Sequence, residues 1–243
     1  MIKLFYLVIL VTLFASCSKG HRCDCFVSNG NETEEIRSLS AFNELEINNV
    51  FDITLKIDTI NQIKIISGKN IIKGIETVIE NNRLYIKNTN KCNWARNYIG
   101  KIKLEISLNT LTYLNLKGSS DITCADTIHG TDLKIDNWAD ISNLDLTLDY
   151  SSIIFALHAG TGNIILKGKV TTGNYWNNGY SNFNFNDLIT TDCIVMSNST
   201  GFTNINVKHE VSARLFNSGN IYLKGNPSII TTSQHGSGKL VID

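Results

Sequence analysis

Proline occurs once in this chain of 243 residues, methionine twice, and neither sign of charge prevails: 22 Lys and Arg stand against 22 Asp and Glu. Each shortage excludes something. Without a basic excess there is no electrostatic footprint for nucleic acid, which needs a positively charged face. With 18% charged and 42% hydrophobic residues the chain is not a disordered tail. No run reaches the roughly 18 apolar residues of a membrane-spanning helix. No phosphate loop ending in Gly-Lys-Ser/Thr and no His-Glu-x-x-His pair occurs, so neither of those chemistries is encoded. Nothing calls for a cofactor. What abounds is isoleucine and asparagine, 33 and 30 residues. Ile favours strands, whereas Asn is poor in helix interiors and good in turns. The expectation is an all-β protein of many short strands joined by Asn- and Gly-bearing turns.

The first residues read as an address. Lys3 is followed by an apolar run, Leu4 to Phe14, broken only by Thr12, then by Ala15, Ser16 and Cys17. The run suits a signal-peptide core and is too short to span a bilayer. It resembles a bacterial lipoprotein signal, in which cleavage before the Cys leaves an acylated N-terminal Cys17. The match departs from the usual pattern at Phe14, where Leu is common; an ordinary secretory signal is the alternative. The expected organisation is a signal peptide over 1–16, a lipid-anchored linker over 17–39 and a folded domain over 40–243. Acyl chains contribute roughly 0.8 kcal/mol per buried methylene, enough to hold a soluble domain at a membrane.

Export permits disulfides. With Cys17 acylated, five cysteines remain, so at least one thiol is free. A bridge from Cys23 or Cys25 to Cys92 would staple the entry segment to the domain. Cys124 and Cys193 sit in strand-like runs, where a buried thiol is usual. His21, Cys23 and Cys25 form one cluster without the paired spacings of a structural zinc site, so no metal is expected.

From about residue 40 apolar and polar residues alternate, as in Phe51-Asp52-Ile53-Thr54-Leu55-Lys56-Ile57, the mark of half-buried strands. Residues 70–80 read as turn and strand rather than helix, because β-branched residues crowd them. From residue 111 a small residue, a polar one and an apolar one recur. The units are Ser120-Asp121-Ile122, Ala139-Asp140-Ile141, Gly162-Asn163-Ile164, Ser181-Asn182-Phe183, Gly219-Asn220-Ile221 and Gly238-Lys239-Leu240, with Gly201-Phe202-Thr203 filling the gap. A period of about 19 residues marks a solenoid whose repeats must stack to bury their apolar faces. Leu133, Ile135, Leu144, Leu146, Leu148, Leu157, Ile164, Leu166, Phe183, Phe185, Ile205, Val207, Leu215, Ile221 and Leu223 are the expected interior. Asn ladders would satisfy polar groups at successive turns. The fold expected is a parallel β-helix or β-solenoid; an antiparallel sandwich or barrel is the competitor.

These units, with Ser218-Gly219-Asn220-Ile221-Tyr222-Leu223-Lys224-Gly225-Asn226-Pro227, Gly236-Ser237-Gly238-Lys239-Leu240 and the opening Phe42-Asn43-Glu44-Leu45-Glu46-Ile47, resemble the auto-transporter adhesin "head GIN" domain family (DUF2807). The resemblance covers about residues 40–242. It implies a β-helical, extracytoplasmic, often lipid-anchored protein, and it carries over no catalytic residues.

Chemistry is sparse. His21, His129, His158, His209 and His235 are scattered and read as solvated imidazoles. Asp121 and Asp140 occupy equivalent repeat positions and would stack about 4.8 Å apart, the raw material of a glycoside hydrolase; a lyase would also want a base, for which Lys117 and Lys134 are the candidates. A polar turn ladder explains the same residues. Asn174-Tyr175-Trp176-Asn177-Asn178-Gly179-Tyr180 gathers rings and amides, so Tyr175, Trp176, Asn177, Asn178 and Tyr180 are a candidate ligand surface. The sequence thus reads as a non-catalytic lipoprotein of the bacterial outer membrane that binds glycan or an envelope or host protein. The alternatives are a carbohydrate-active β-helix enzyme and a periplasm-facing structural or lipid-binding lipoprotein.

Overall fold

A computed structural model of the chain describes residues 28–91 and 102–242. Cys17, Cys23, Cys25 and Cys92, and with them the expected signal, anchor and disulfide, lie outside the described residues. Among the described residues sixteen strands join into one continuous sheet that winds into a solenoid. No described helix is long and apolar enough to cross a membrane.

The regular part begins with β9 (Ser120–Asn137) and continues through β10 (Asn143–Leu157), β11 (Asn163–Asn177), β12 (Asn182–Ser197) and β13 (Thr203–Leu215). It ends in β14 (Ile221–Lys224), β15 (Ile229–Gln234) and β16 (Leu240–Ile242). Neighbours pair in parallel, Leu144 with Ile164 and Ile164 with Phe183. Each long strand bends midway, giving a first and a second segment that face each other across a thin core. Phe155 of a second segment meets Phe183 and Phe185 of a first segment edge-on, at 5.0 and 6.0 Å between ring centroids. All fifteen side chains expected inside are buried. The period-two alternation of apolar residues therefore builds both walls of the core.

One repeat boundary differs from the sequence reading. Ile122 pairs with Leu144, not with Ile141. Ile141 lies in the tight turn, 58% exposed, and bridges only to Thr161 of the next turn. Ala139-Asp140-Ile141 imitates the repeat unit, but Ser142-Asn143-Leu144 carries it. The turn after β10 needs glycine at Gly162: its φ is +153°, and a Cβ there would sit 1.7 Å from the Ser142 carbonyl oxygen.

The N-terminal part is threaded out of sequence order. β2 (Glu44–Ile47) and β3 (Phe51–Ile57) form a coil lying between two later ones. On one side are β6 (Arg83–Asn88) and β7 (Ile102–Leu108); on the other are β8 (Tyr113–Leu116) and β9. Beyond them β1 (Glu32–Ser38), β4 (Gln62–Gly68) and β5 (Ile75–Glu80) pair antiparallel and close this end. Such covering strands spare the stack an open edge. β1 falls inside 17–39, the stretch read as linker, so ordered structure starts earlier than residue 40. A single helical turn, α1 (Lys69–Ile72), precedes β5. Cys124 and Cys193 are free and buried, as expected.

Candidate functional site

Both segments carry outward side chains, in rows running from coil to coil. On the first segments, one row is Asp52, Asp121, Asn143, followed by Asn163 and Asn182. Its amides are used within the fold. Asn143 donates to Asp121 at 2.7 Å and accepts the Asn163 backbone N–H at 3.0 Å. Asn182 and Asn220 accept the Phe202 and Lys239 N–H groups at 3.1 and 2.9 Å. This is the expected Asn ladder. It also removes the expected carboxylate pair. Asp140 lies in the turn and Asn143 takes its place beside Asp121, because the coil after Ile122 is 22 residues rather than 19.

The second segments differ. One row runs Glu46, Asn115, Asp136, Ala156, Trp176, Met196, Arg214. Its first four residues point outward yet are only 1–6% exposed, so neighbouring rows cover them. Asp136 is the hub. Its Oδ1 contacts His158 Nε2 at 2.9 Å, and its Oδ2 accepts from the Tyr113 hydroxyl at 2.9 Å and pairs with Lys134 at 2.6 Å. Burial opposes ionisation of Asp136, but the bonds from His158, Lys134 and Tyr113 outweigh it and hold the carboxyl below its usual range. Burial, and the bond to Asp136, push the Tyr113 hydroxyl up to about 12. Glu46 repeats the pattern: burial is outweighed by hydrogen bonds, that from Lys117 at 2.7 Å foremost, and its pKa is lowered. Arg83 binds Glu44 at 2.6 Å and lies over the Tyr113 ring.

Held by Asp136, the His158 ring stacks on Trp138, with centroids 3.7 Å apart and planes within 5°. Trp138 remains 54% exposed although His158 covers one ring face, so its other face is open. Trp138 and His158 start an outer row that continues through Asn178, Asn198, Phe216 and His235, each backbone N–H bonded to the preceding coil. Phe216 and His235 repeat the stack at 5.1 Å. The four described histidines are not the free imidazoles expected, since each has a side-chain neighbour: His158 and His235 are stacked, and His209 lies 2.7 Å from Asp192. The fourth, His129, is 3.3 Å from Asp149.

Of the five residues proposed as a ligand surface, three face outward: Trp176, Asn178 and Tyr180. Tyr175 and Asn177 are interior. The Tyr175 hydroxyl bonds Thr190 at 2.9 Å, and Asn177 Nδ2 donates to the Ser181 carbonyl at 3.0 Å. Strict alternation along β11 puts neighbours on opposite sides of the sheet. Sequence reasoning missed Asp136 and Glu46, most of whose partners come from other coils. It also missed Asp192, His209 and Glu210, whose ligand atoms lie within 4.8 Å of one another on adjacent coils. All three lie at the surface.

A capped, charge-balanced parallel β-solenoid with one amide-laddered face and one aromatic face is the class of protein so defined. The chain belongs to the head GIN domain family (DUF2807), described as "Putative auto-transporter adhesin", which it matches over residues 41–227. Among solved structures it is similar to a "putative adhesin" from Bacteroides fragilis, with a TM-score of 0.83 at 20% identity over 88% of this chain and 97% of that one. A "putative adhesin" from Parabacteroides merdae gives 0.64 at 17%, covering 88% and 98%. A "Putative lipid binding protein" from Parabacteroides distasonis gives 0.62 at 16%, covering 88% and 98%. These likenesses concern the fold. No curated protein matches the chain.

Proposed function

We propose that the protein is a non-catalytic binding module of the bacterial cell envelope. Acylation at Cys17 anchors it in the outer membrane, and a bridge from Cys23 or Cys25 to Cys92 ties the entry segment to the solenoid. The second-segment face meets a glycan or protein partner. The observation that carries this reading is the presence of the open, stacked Trp138 and the exposed Trp176 on one face, with the other face's Asn ladder consumed internally. Exposed aromatic surface with a polar rim is the composition of binding faces. The adhesin description of the family agrees with a surface location.

The two other readings fit less well. A glycosidase needs one carboxyl kept protonated as an acid, within about 5–9.5 Å of a second. Glu46 and Asp136 are two coil steps apart, about 10 Å, and both are held ionised. A lipid carrier needs an apolar cleft. The depression at the bend between segments is lined by Asp149, Tyr150, Ser151, Lys169 and Thr171 among others, and Asp149 and Lys169 pair across it at 3.3 Å.

The test is binding of the purified, labelled chain to arrays of glycans and matrix proteins. Binding should disappear in a Trp138→Ala, Trp176→Ala double variant and persist in Asn184→Ala, Asn204→Ala on the opposite face. Loss in the second variant with retention in the first would sink the assignment of the face. Protease treatment of intact cells gives the location: digestion means outward presentation.

A further inference from the structure

We propose that the ligand of the aromatic face is an uncharged glycan, bound along the strip between Trp138 and Phe216. The inference rests on the binding-face reading above and adds the chemical class. Two observations carry it. First, the cations nearest the Trp138–His158 stack each have a carboxylate partner: Arg83 with Glu44 at 2.6 Å, Lys117 with Glu46 at 2.7 Å, Lys134 with Asp136 at 2.6 Å; Lys87 stands exposed further out, on β6. An acidic polymer meets no uncompensated charge beside that stack. Between the coil of Lys134 and Asp136 and that of Arg214 the two inner rows carry no charged side chain: Ile154, Asn174, Ile194 and Ser212 in one, Ala156, Trp176 and Met196 in the other; Arg214, exposed two residues before Phe216, closes the strip.

Second, the donors and acceptors between these two ends are neutral. Asn178 and Asn198 are exposed in the outer row, and their side chains make no hydrogen bond among the described residues. They stand between the Trp138–His158 stack and the Phe216–His235 stack. From His158 to Phe216 is three coil steps, about 14 Å. An extended oligosaccharide laid along the solenoid axis would meet rings at both ends and amides between them. Amides pair with hydroxyls in both donor and acceptor senses, and apolar sugar faces stack on indole without a charge. A protein partner would need a larger and better-packed apolar centre than this narrow strip provides.

Affinity electrophoresis and tryptophan fluorescence of the purified chain test the assignment. The probes are a soluble glucan, mannan and galactan as neutral polymers, and polygalacturonate and a sulfated glycosaminoglycan as acidic ones. At least one neutral polymer should bind, with affinity unchanged between about 50 and about 500 mM salt, since screening acts on charges. Trp176→Ala should weaken binding at least about tenfold. Asn178→Ala with Asn198→Ala, both surface positions that leave the core intact, should weaken it about threefold or more. Binding of acidic polymers alone, binding abolished by salt, or failure of all three neutral polymers overturns the proposal. If a protein partner instead binds in a Trp176-dependent way, the glycan class falls and the binding face stands. If no ligand depends on Trp176 or Trp138, both fall.

Discussion

The two walls of this solenoid share one interior and differ outside. On the first segments the polar groups are spent on the fold: Asn143, Asn182 and Asn220 each accept a backbone N–H from the next coil. On the second segments the polar groups are spent on holding other side chains. Asp136 gathers Tyr113, Lys134 and His158, and His158 in turn fixes Trp138. A ladder of short amides leaves a flat surface with few unmet hydrogen bonds. A buried carboxylate supporting a stacked ring leaves an apolar face exposed at a fixed angle. The difference separates structural from recognition chemistry on one scaffold, and it can be broken at four levels.

The deepest break is shared by both walls. Phe155 is fully buried and contacts Phe183 and Phe185 across the core. Phe155→Ala should cost about 3–5 kcal/mol, the price of the lost transfer energy plus a cavity. Urea denaturation followed by circular dichroism and by tryptophan emission should move to the same lower midpoint by both probes. Separate midpoints would mean that the walls are not one cooperative unit.

Next comes Asp136, which belongs to the aromatic wall alone. Asp136→Asn keeps the shape but removes a charge that three donors address. The expected loss is about 1–3 kcal/mol at neutral pH. Because the folded pKa lies below the ordinary carboxyl value, the native state binds this proton less readily than the unfolded chain. Its stabilisation is therefore complete above the unfolded value and is lost as pH falls through the folded one. The gap between wild type and Asp136→Asn should narrow as denaturation is repeated below about pH 4. A gap independent of pH would mean that the carboxylate's charge is not what matters.

How far these walls were legible in the sequence follows from the range of each interaction. Inward positions such as Leu144, Phe183 and Leu223 were readable, because alternation is local. The Asn ladder was readable as a composition and a period. Its register was not, since Ala139-Asp140-Ile141 and Ser142-Asn143-Leu144 both fit the unit. Only backbone pairing shows that the second starts the strand. Asp136 as a hub was not readable: Lys134 is two residues away on its own strand, but His158 and Tyr113 lie on the neighbouring coils, 22 and 23 residues away. The insertion of the β2–β3 coil between later ones also leaves no trace in a repeat count. The candidate surface was found in part, because Trp176, Asn178 and Tyr180 lie close in sequence, whereas Trp138 shares their face only through the alignment of successive coils.

A weaker break tests the ladder wall. Asn143 both donates to Asp121 and accepts from Asn163. Asn143→Ala should cost about 1 kcal/mol in denaturation, the usual net worth of such bonds. It should leave ligand binding unchanged. An equal loss of binding would erase the distinction between the walls.

The smallest expected change in stability is the most informative about function. Trp138 is more than half exposed, and its removal takes away chiefly the stack on His158. Trp138→Ala should therefore cost about 0.5–1.5 kcal/mol, the range of an aromatic pair, and the midpoint of unfolding should move little. Binding through the aromatic wall should fall nonetheless, because the open ring face is what a ligand would meet. His158→Ala makes a matched control, removing the other half of the stack while the indole remains. If the ring itself is the contact, His158→Ala keeps part of the affinity that Trp138→Ala loses. If both variants lose affinity equally, the stack acts as one fixed unit, and Asp136, which positions it, should show the same loss without touching the ligand.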